Sequence, residues 1–339
     1  MRSMFGLGII ALASVVTASV SFAADGPPPW AYGFPGPAPA TPPAAPAGGG
    51  GRGAGGGQAP APDTSLKSLP GTTLQFTRAQ IANGFGPADW FPGDHPTMPD
   101  IVAHGRQPDV RACSLCHYPN GKGRAENAGV AGFSVSYFIE QMHEFRDGNR
   151  KSADTRKANT NAMIAIAKAM TEDEIKAAAE YFGAMKWTPW ITVQETAMVP
   201  RTRINGGLFL KLDGNETEPI GDRIVEVPVD AEATEVLRNP HSPFVAYAPL
   251  GSLKKGEALV TTGAGKTIRC GACHGADLRG MGPVPGLAGR SPSYLVRQMY
   301  DMQAGTRKGE WTELMKPVVE KLSADDMLVI AAYSASLQP

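Results

Sequence analysis

All four cysteines of this 339-residue chain fall in two five-residue words, Cys113-Ser114-Leu115-Cys116-His117 and Cys270-Gly271-Ala272-Cys273-His274. At the Cys-x-x-Cys-His spacing, two thiols can form thioethers to the two vinyl groups of one porphyrin while the adjacent imidazole reaches the iron. The words therefore predict two covalently bound haem c groups, attached through Cys113 and Cys116 and through Cys270 and Cys273. His117 and His274 are the expected proximal iron ligands. A zinc site would have to pool two distant pairs and would leave both histidines unexplained. A thioredoxin-like pair would need a βαβ context, which neither word has.

The elements that must position these groups emerge from comparing the chain with itself. At the offset between the words, 157 residues (270 less 113), Gly129-Val130-Ala131-Gly132 falls on Gly286-Leu287-Ala288-Gly289. Ser136-Tyr137 falls on Ser293-Tyr294, Gln141-Met142 on Gln298-Met299, and Gly148-x-Arg150-Lys151 on Gly305-x-Arg307-Lys308, without a gap. Further on the offset drops to 152, so the second copy is five residues shorter, and Met163 then matches Met315 and Thr171 matches Ser323. The chain contains a duplicated domain.

Each copy reads as a helix, the haem word, a loop, a helix, a methionine loop and a terminal helix. Thr171-Glu172-Asp173-Glu174 and Ser323-Ala324-Asp325-Asp326 are capping boxes that open the terminal helices. Helix-like stretches at 98–104 and 253–261 precede the two words. Met163 and Met315 lie eight residues before their caps and are the expected sixth ligands of the irons. A thioether is soft and neutral, favours ferrous iron and raises the potential. Met142, His143 and Met170 compete with Met163, and packing in a core is the commoner use of methionine.

Other residues fall into supporting roles. Pro285 can turn a carbonyl toward the His274 ring, whereas the first copy has Ala128 there, a carbonyl without the rigid turn. Tyr137 and Tyr294, with Arg150 and Arg307, are candidates for hydrogen bonds to haem propionates. Exposed tyrosines and solvated arginines are the alternative. His95, His104, His143 and His241 read as ordinary polar residues.

Residues 1–23 read as a signal peptide: Arg2, an apolar run, then Ser21-Phe22-Ala23 ahead of cleavage. The mature chain is expected to be exported to the periplasm with no integral membrane span. Residues 24–65, rich in Pro, Ala and Gly, read as a disordered tether in which Trp30, Tyr32 and Phe34 are scattered aromatics. Residues 66–186 form the first haem domain with an N-terminal extension, 187–249 a connector with short strands such as Ile224-Val225-Glu226-Val227, and 250–339 the second haem domain. Lys+Arg and Asp+Glu each number 32, so charge offers no case for nucleic acid.

The paired words, each followed by Gly-x-Ala-Gly, Ser-x-x-Tyr-x-x-x-Gln, Gly-x-Arg and a methionine before a terminal helix, resemble the tandem dihaem class I cytochromes c of bacterial periplasms. The resemblance implies an all-α fold of two haem domains, His/Met ligation at both irons and single-electron shuttling without a bound substrate. It implies redox-protein partners: an exported dehydrogenase, a terminal oxidase or reductase, or both. It does not reach the tether or the connector. The alternatives are a dihaem peroxidase-type enzyme, which needs one iron with an open distal side and an acid/base residue, and a haem subunit of an exported dehydrogenase complex.

Overall fold

The computed structural model describes residues 26–38 and 63–339. The signal-peptide reading and most of the tether therefore lie outside the described residues.

The duplication governs the helices. Each haem word forms one turn of helix, Cys113–His117 and Gly271–His274. The next helices, Val135–Arg146 and Pro292–Gln303, start and stop at the 157-residue offset. Their N-caps are equivalent: the Ser134 hydroxyl accepts from the Tyr137 amide at 3.3 Å and Ser291 from Tyr294 at 3.2 Å. The terminal helices, Glu172–Gly183 and Ala324–Ser336, begin in capping boxes at Thr171 and Ser323, as the sequence predicts. Both methionines stand on helices, Met163 within Ala158–Ala169 and Met315 within Glu310–Val319, where loops were expected.

The lobes differ at their first helix. In the second lobe Ser252–Thr262 crosses the terminal helix at Gly256, where a Cβ would collide with the Val329 carbonyl. In the first lobe the corresponding helix is only Asp100–Ala103, short of the expected 98–104. At the repeat offset Leu253 and Gly256 become Pro96 and Pro99, and each proline removes a helical donor and crowds the carbonyl a turn before it. Pro99 serves as the N-cap of the stub.

Beside the helical lobes, nine strands are present among the described residues: seven lie between 191 and 248, in the connector where short strands were expected, and two, Lys67–Ser68 and Gln75–Phe76, lie in the N-terminal extension, where none was expected. Ile191–Glu195 runs parallel to Phe244–Ala248, which pairs antiparallel with Val225–Pro228. Phe244, Ala246 and Ala248 alternate inward, the period of a half-buried strand. Thr202–Asn205 and Leu208–Lys211 form a hairpin closed by Gly206 and Gly207, both at positive φ, as a two-residue turn of type I′ requires. Ile224, Ala246 and Ala248 join the core of the second lobe, so the connector packs as part of the molecule.

The segment around Tyr32 is likewise ordered. Pro29–Tyr32 is a short helix, Ala31 and Tyr32 are fully buried, and the Tyr32 hydroxyl donates to Asp301 at 2.6 Å. Composition argued for disorder, but aromatics with a buried partner offset the ordering entropy of a few residues. Among the described residues no helix is long and apolar enough to cross a membrane.

Candidate haem sites

In both lobes the same contact holds the imidazole of the haem word. His117 Nδ1 lies 2.8 Å from the Ala128 carbonyl oxygen, and His274 Nδ1 lies 2.7 Å from that of Pro285. A carbonyl can only accept, so Nδ1 carries the proton and Nε2 keeps its lone pair. Burial pushes both imidazoles below their ordinary range, against the opposing pull of the carbonyl bond. Each ring is therefore a neutral, oriented metal ligand. The proline is not needed for this bond, since Ala128 supplies it equally well.

The loops that return these carbonyls are equivalent too. The Gly123 amide donates to the His117 carbonyl and the Gly280 amide to the His274 carbonyl, both at 2.8 Å. Gly280 has φ +95°, and a Cβ there would lie 2.8 Å from the Val284 carbonyl oxygen. Glycine is what allows so close a return.

None of the four cysteines forms a disulfide. Burial pushes the Cys113 thiol up to about 12 and the Cys270 thiol up to about 11, opposite to the activated thiol of a thioredoxin-like pair. Among the described residues no three His, Cys, Asp or Glu side chains gather at metal-binding geometry, so the two words do not pool into a zinc cage.

A largely apolar cleft in the second lobe is lined by Cys270, Cys273, His274 and three methionines, Met299, Met302 and Met315. In the first lobe Cys113 and Met163 pack on a cluster that contains Met142, Met170 and Phe182. Phe182 meets the His117 ring edge-on, with 6.3 Å between centroids. The remaining histidines stand apart: His143 pairs with Glu172 at 2.8 Å, His95 with Asp89 at 3.1 Å, His241 with Asp94, and His104 lies beside Gly86.

The four candidates for propionate contacts meet one another across the seam between the lobes. The Arg150 guanidinium donates to Gln141 (2.9 Å), Tyr294 (3.2 Å) and Gln298 (2.9 Å). Arg307 donates to Gln298 (2.9 Å), Tyr137 (3.1 Å) and Gln141 (2.9 Å). Each bond has its counterpart at the repeat offset, so the seam has internal two-fold pseudosymmetry. Short backbone links flank it, Lys151 to Thr306 at 2.9 Å and Lys308 to Asn149 at 2.8 Å. Burial alone would raise the Tyr294 hydroxyl, but Arg150 and Arg307 hold it below its ordinary range. Both arginines are buried with neutral partners, neither pairs with a carboxylate among the described residues, and Arg307 Nε has no hydrogen-bond partner there.

Sequence reasoning missed two groups. Met299 and Met302 line the cleft beside Met315, and the repeated Gln-Met pair was the available signal for Met299. Arg290, whose repeat counterpart is Phe133, is buried between Phe133 and Trp187 and donates to the Gly129 and Ala131 carbonyls of the other lobe. A lone arginine at a position that breaks the repeat gave no such hint.

The donor set fits haem c: paired thiols, a neutral imidazole with a bare nitrogen, nearby thioethers, and buried guanidiniums without acidic partners. The comparisons agree. The family model described as "Cytochrome c" matches residues 102–186. Cytochrome c-554(548) of Halomonas halodenitrificans is 41% identical over 75 residues, 22% of this chain and 90% of that protein. Cytochrome c4 of Azotobacter vinelandii is 39% identical over 84 residues, 23% of this chain and 40% of that protein. A thiosulfate dehydrogenase electron acceptor of Stutzerimonas stutzeri is 25% identical over 237 residues, 69% of this chain and 82% of that protein. The chain belongs to the class I c-type cytochromes, which bind haem c covalently and transfer electrons through it.

Proposed function

We propose that the protein is a periplasmic dihaem electron carrier. Cys113, Cys116, His117 and Met163 would hold one haem, and Cys270, Cys273, His274 and Met315 the other. The observation that carries this reading is the repeated histidine–carbonyl contact, at 2.8 and 2.7 Å, behind both Cys-x-x-Cys-His words. When bound, each haem supplies a one-electron ferric/ferrous couple. The chain's part would be to fix the imidazole tautomer, to offer a methionine thioether as a second ligand and to exclude water with an apolar wall. Were His117 with Met163 and His274 with Met315 each to ligate an iron, neither haem would offer a substrate site, as a carrier requires and a peroxidase-type enzyme does not allow. Buried Arg150 and Arg307 have only neutral partners, so propionate carboxylates are their fitting complement. Likeness to a thiosulfate dehydrogenase electron acceptor over most of that protein's length supports an exported dehydrogenase as the electron donor.

Replacing either methionine tests the assignment. Met163→Ala and Met315→Ala should each open one iron to carbon monoxide in the reduced protein. Each should also lower one midpoint by a sizeable part of the roughly 0.8 V that axial ligands span. Unchanged spectra and potentials in either variant would reassign that ligand, with Met142 or Met170 next in the first lobe and Met299 or Met302 in the second.

A further inference from the structure

The two haem words are repeats of one another, yet their outer faces are in opposite states. In the first lobe the word and the loop after it are covered, with Leu115, Tyr118, Ala125 and Glu126 all buried. The cover is the connector. The Asn120 amide donates to the Pro240 carbonyl at 2.8 Å, and the Arg238 guanidinium stands 5.6 Å from the centre of the Tyr118 ring. Ala125 packs with Trp190, Leu208, Leu210 and Phe244. The N-terminal extension holds this cover in place: the Trp90 indole donates to the Leu237 carbonyl at 2.7 Å, and Phe91 stacks on His241. Burial pushes the Cys116 thiol up, and Arg238 is the largest influence opposing it, so the connector's cation lies beside the second thiol of the word.

At the repeat offset Leu115, Tyr118, Ala125 and Glu126 become Ala272, Gly275, Gly282 and Pro283, and Ala272, Gly282 and Pro283 are exposed. Cys273 is itself exposed, where Cys116 is half-buried. Arg111 and Arg124 become Ile268 and Met281, apolar side chains left 48% and 57% exposed. Ala272 and Met281 do not line the haem cleft, so the face they form lies outside it. The border is basic. Arg269 is exposed and in no ion pair among the described residues, and Arg279 has only Asp277, at 3.6 Å.

We propose that this outer face of the second haem word is the surface through which the protein exchanges electrons with a redox protein, the matching face of the first word being closed by the connector. The inference rests on the dihaem carrier reading. The partner that fits is a one-electron redox protein with an apolar contact surface bordered by acidic side chains, because Ile268 and Met281 call for apolar contact and Arg269 and Arg279 for acid. Redox encounters of this kind bury little surface and are short-lived. A second copy of this chain does not fit, since a lasting dimer here would close this face as the connector closes the other. In each encounter an oxidised partner takes one electron from the haem of the second lobe. That iron passes from ferrous to ferric, the partner is reduced, and no bond or proton moves. Electrons of the first lobe leave through the second, across the seam.

The test is stopped-flow oxidation of the reduced, fully haem-loaded protein by plastocyanin, a copper protein with apolar and acidic contact surfaces, at low ionic strength. Ile268→Glu and Met281→Glu should each slow the reaction about tenfold or more, and added salt should slow the wild type. Arg111→Glu, at the position of Ile268 in the first lobe, should change the rate less than about twofold despite its larger change of charge. An NMR titration with reduced plastocyanin gives a readout independent of electron transfer: shifted amides should fall in 268–283 and not in 111–126. Equal slowing in Arg111→Glu, unchanged rates in both second-lobe variants, or shifts in 111–126 overturn the proposal. So does a dimer in sedimentation that Met281→Glu dissociates, which would make a second copy the occupant. Haem content separates the two levels: with two haems per chain these failures strike the docking face alone, whereas one haem per chain overturns the carrier reading and this inference with it.

Discussion

An imidazole whose Nδ1 proton is committed to a carbonyl can offer iron only its Nε2, and that restriction is imposed twice here, at His117 and His274. Because Ala128 provides the bond as well as Pro285 does, the proline contributes rigidity and not the acceptor. Pro285→Ala should accordingly move the midpoint of the second haem by less than about 60 mV, a tenfold change in a one-electron equilibrium. A redox titration checks this. Glu226 gives a pH signature at the same scale. It is fully buried on the Val225–Pro228 strand; burial pushes its carboxyl above the usual range, more than Ser291, Ser293 and Arg297 lower it. The native state thus holds this proton more tightly than the unfolded chain. The stability it contributes is fully present below the ordinary carboxyl pKa of about 4.5 and is lost as pH rises through the folded value. Glu226→Gln should flatten that decline between acid and neutral pH, by about 1–3 kcal/mol, as measured by thermal melts across pH.

Among the elements, the second lobe depends on the crossing of Ser252–Thr262 with Ala324–Ser336, where Gly256 sits against Val329 and Tyr333. Gly256→Ala should cost about 3 kcal/mol, since the new methyl must push two packed helices apart. A denaturant titration would show the loss in midpoint. Local rules made much of this level legible in the sequence. Capping boxes at Thr171 and Ser323 and the equal starts of the paired helices follow from residues within four positions of each boundary. The truncation at Pro99 was equally readable, because prolines at the positions of Leu253 and Gly256 disfavour the longer helix. The Tyr32 segment was not, since its order comes from Asp301 and Arg297, more than 260 residues away in sequence. Connector strands announced themselves weakly at 224–227, but their parallel and antiparallel partners are set by tertiary contact.

Across the whole molecule the repeat becomes an interface. The sequence showed Tyr137, Arg150, Tyr294 and Arg307 as matched pairs but could not show that each arginine reaches the opposite lobe, because repeat correspondence carries no information on docking. Arg150→Met and Arg307→Met should each destabilise the protein by about 2–4 kcal/mol and by similar amounts, given the reciprocal bonds. The double variant should lose less than the sum, since both arginines share Gln141 and Gln298. Additive losses in a double-mutant cycle would mean that the two arginines act independently and that the seam is not one network.

The proposed carrier holds two haems per chain, each closed by a histidine and a methionine. Optical spectra of the purified protein, oxidised and then reduced, with haem content per chain and carbon monoxide added to the reduced form, test it most directly. The expected result is two haems per chain, low-spin spectra, a far-red methionine–iron band and no response to carbon monoxide. One haem per chain, or a high-spin fraction that binds carbon monoxide, would contradict it and turn attention to peroxidase-type chemistry at the open iron.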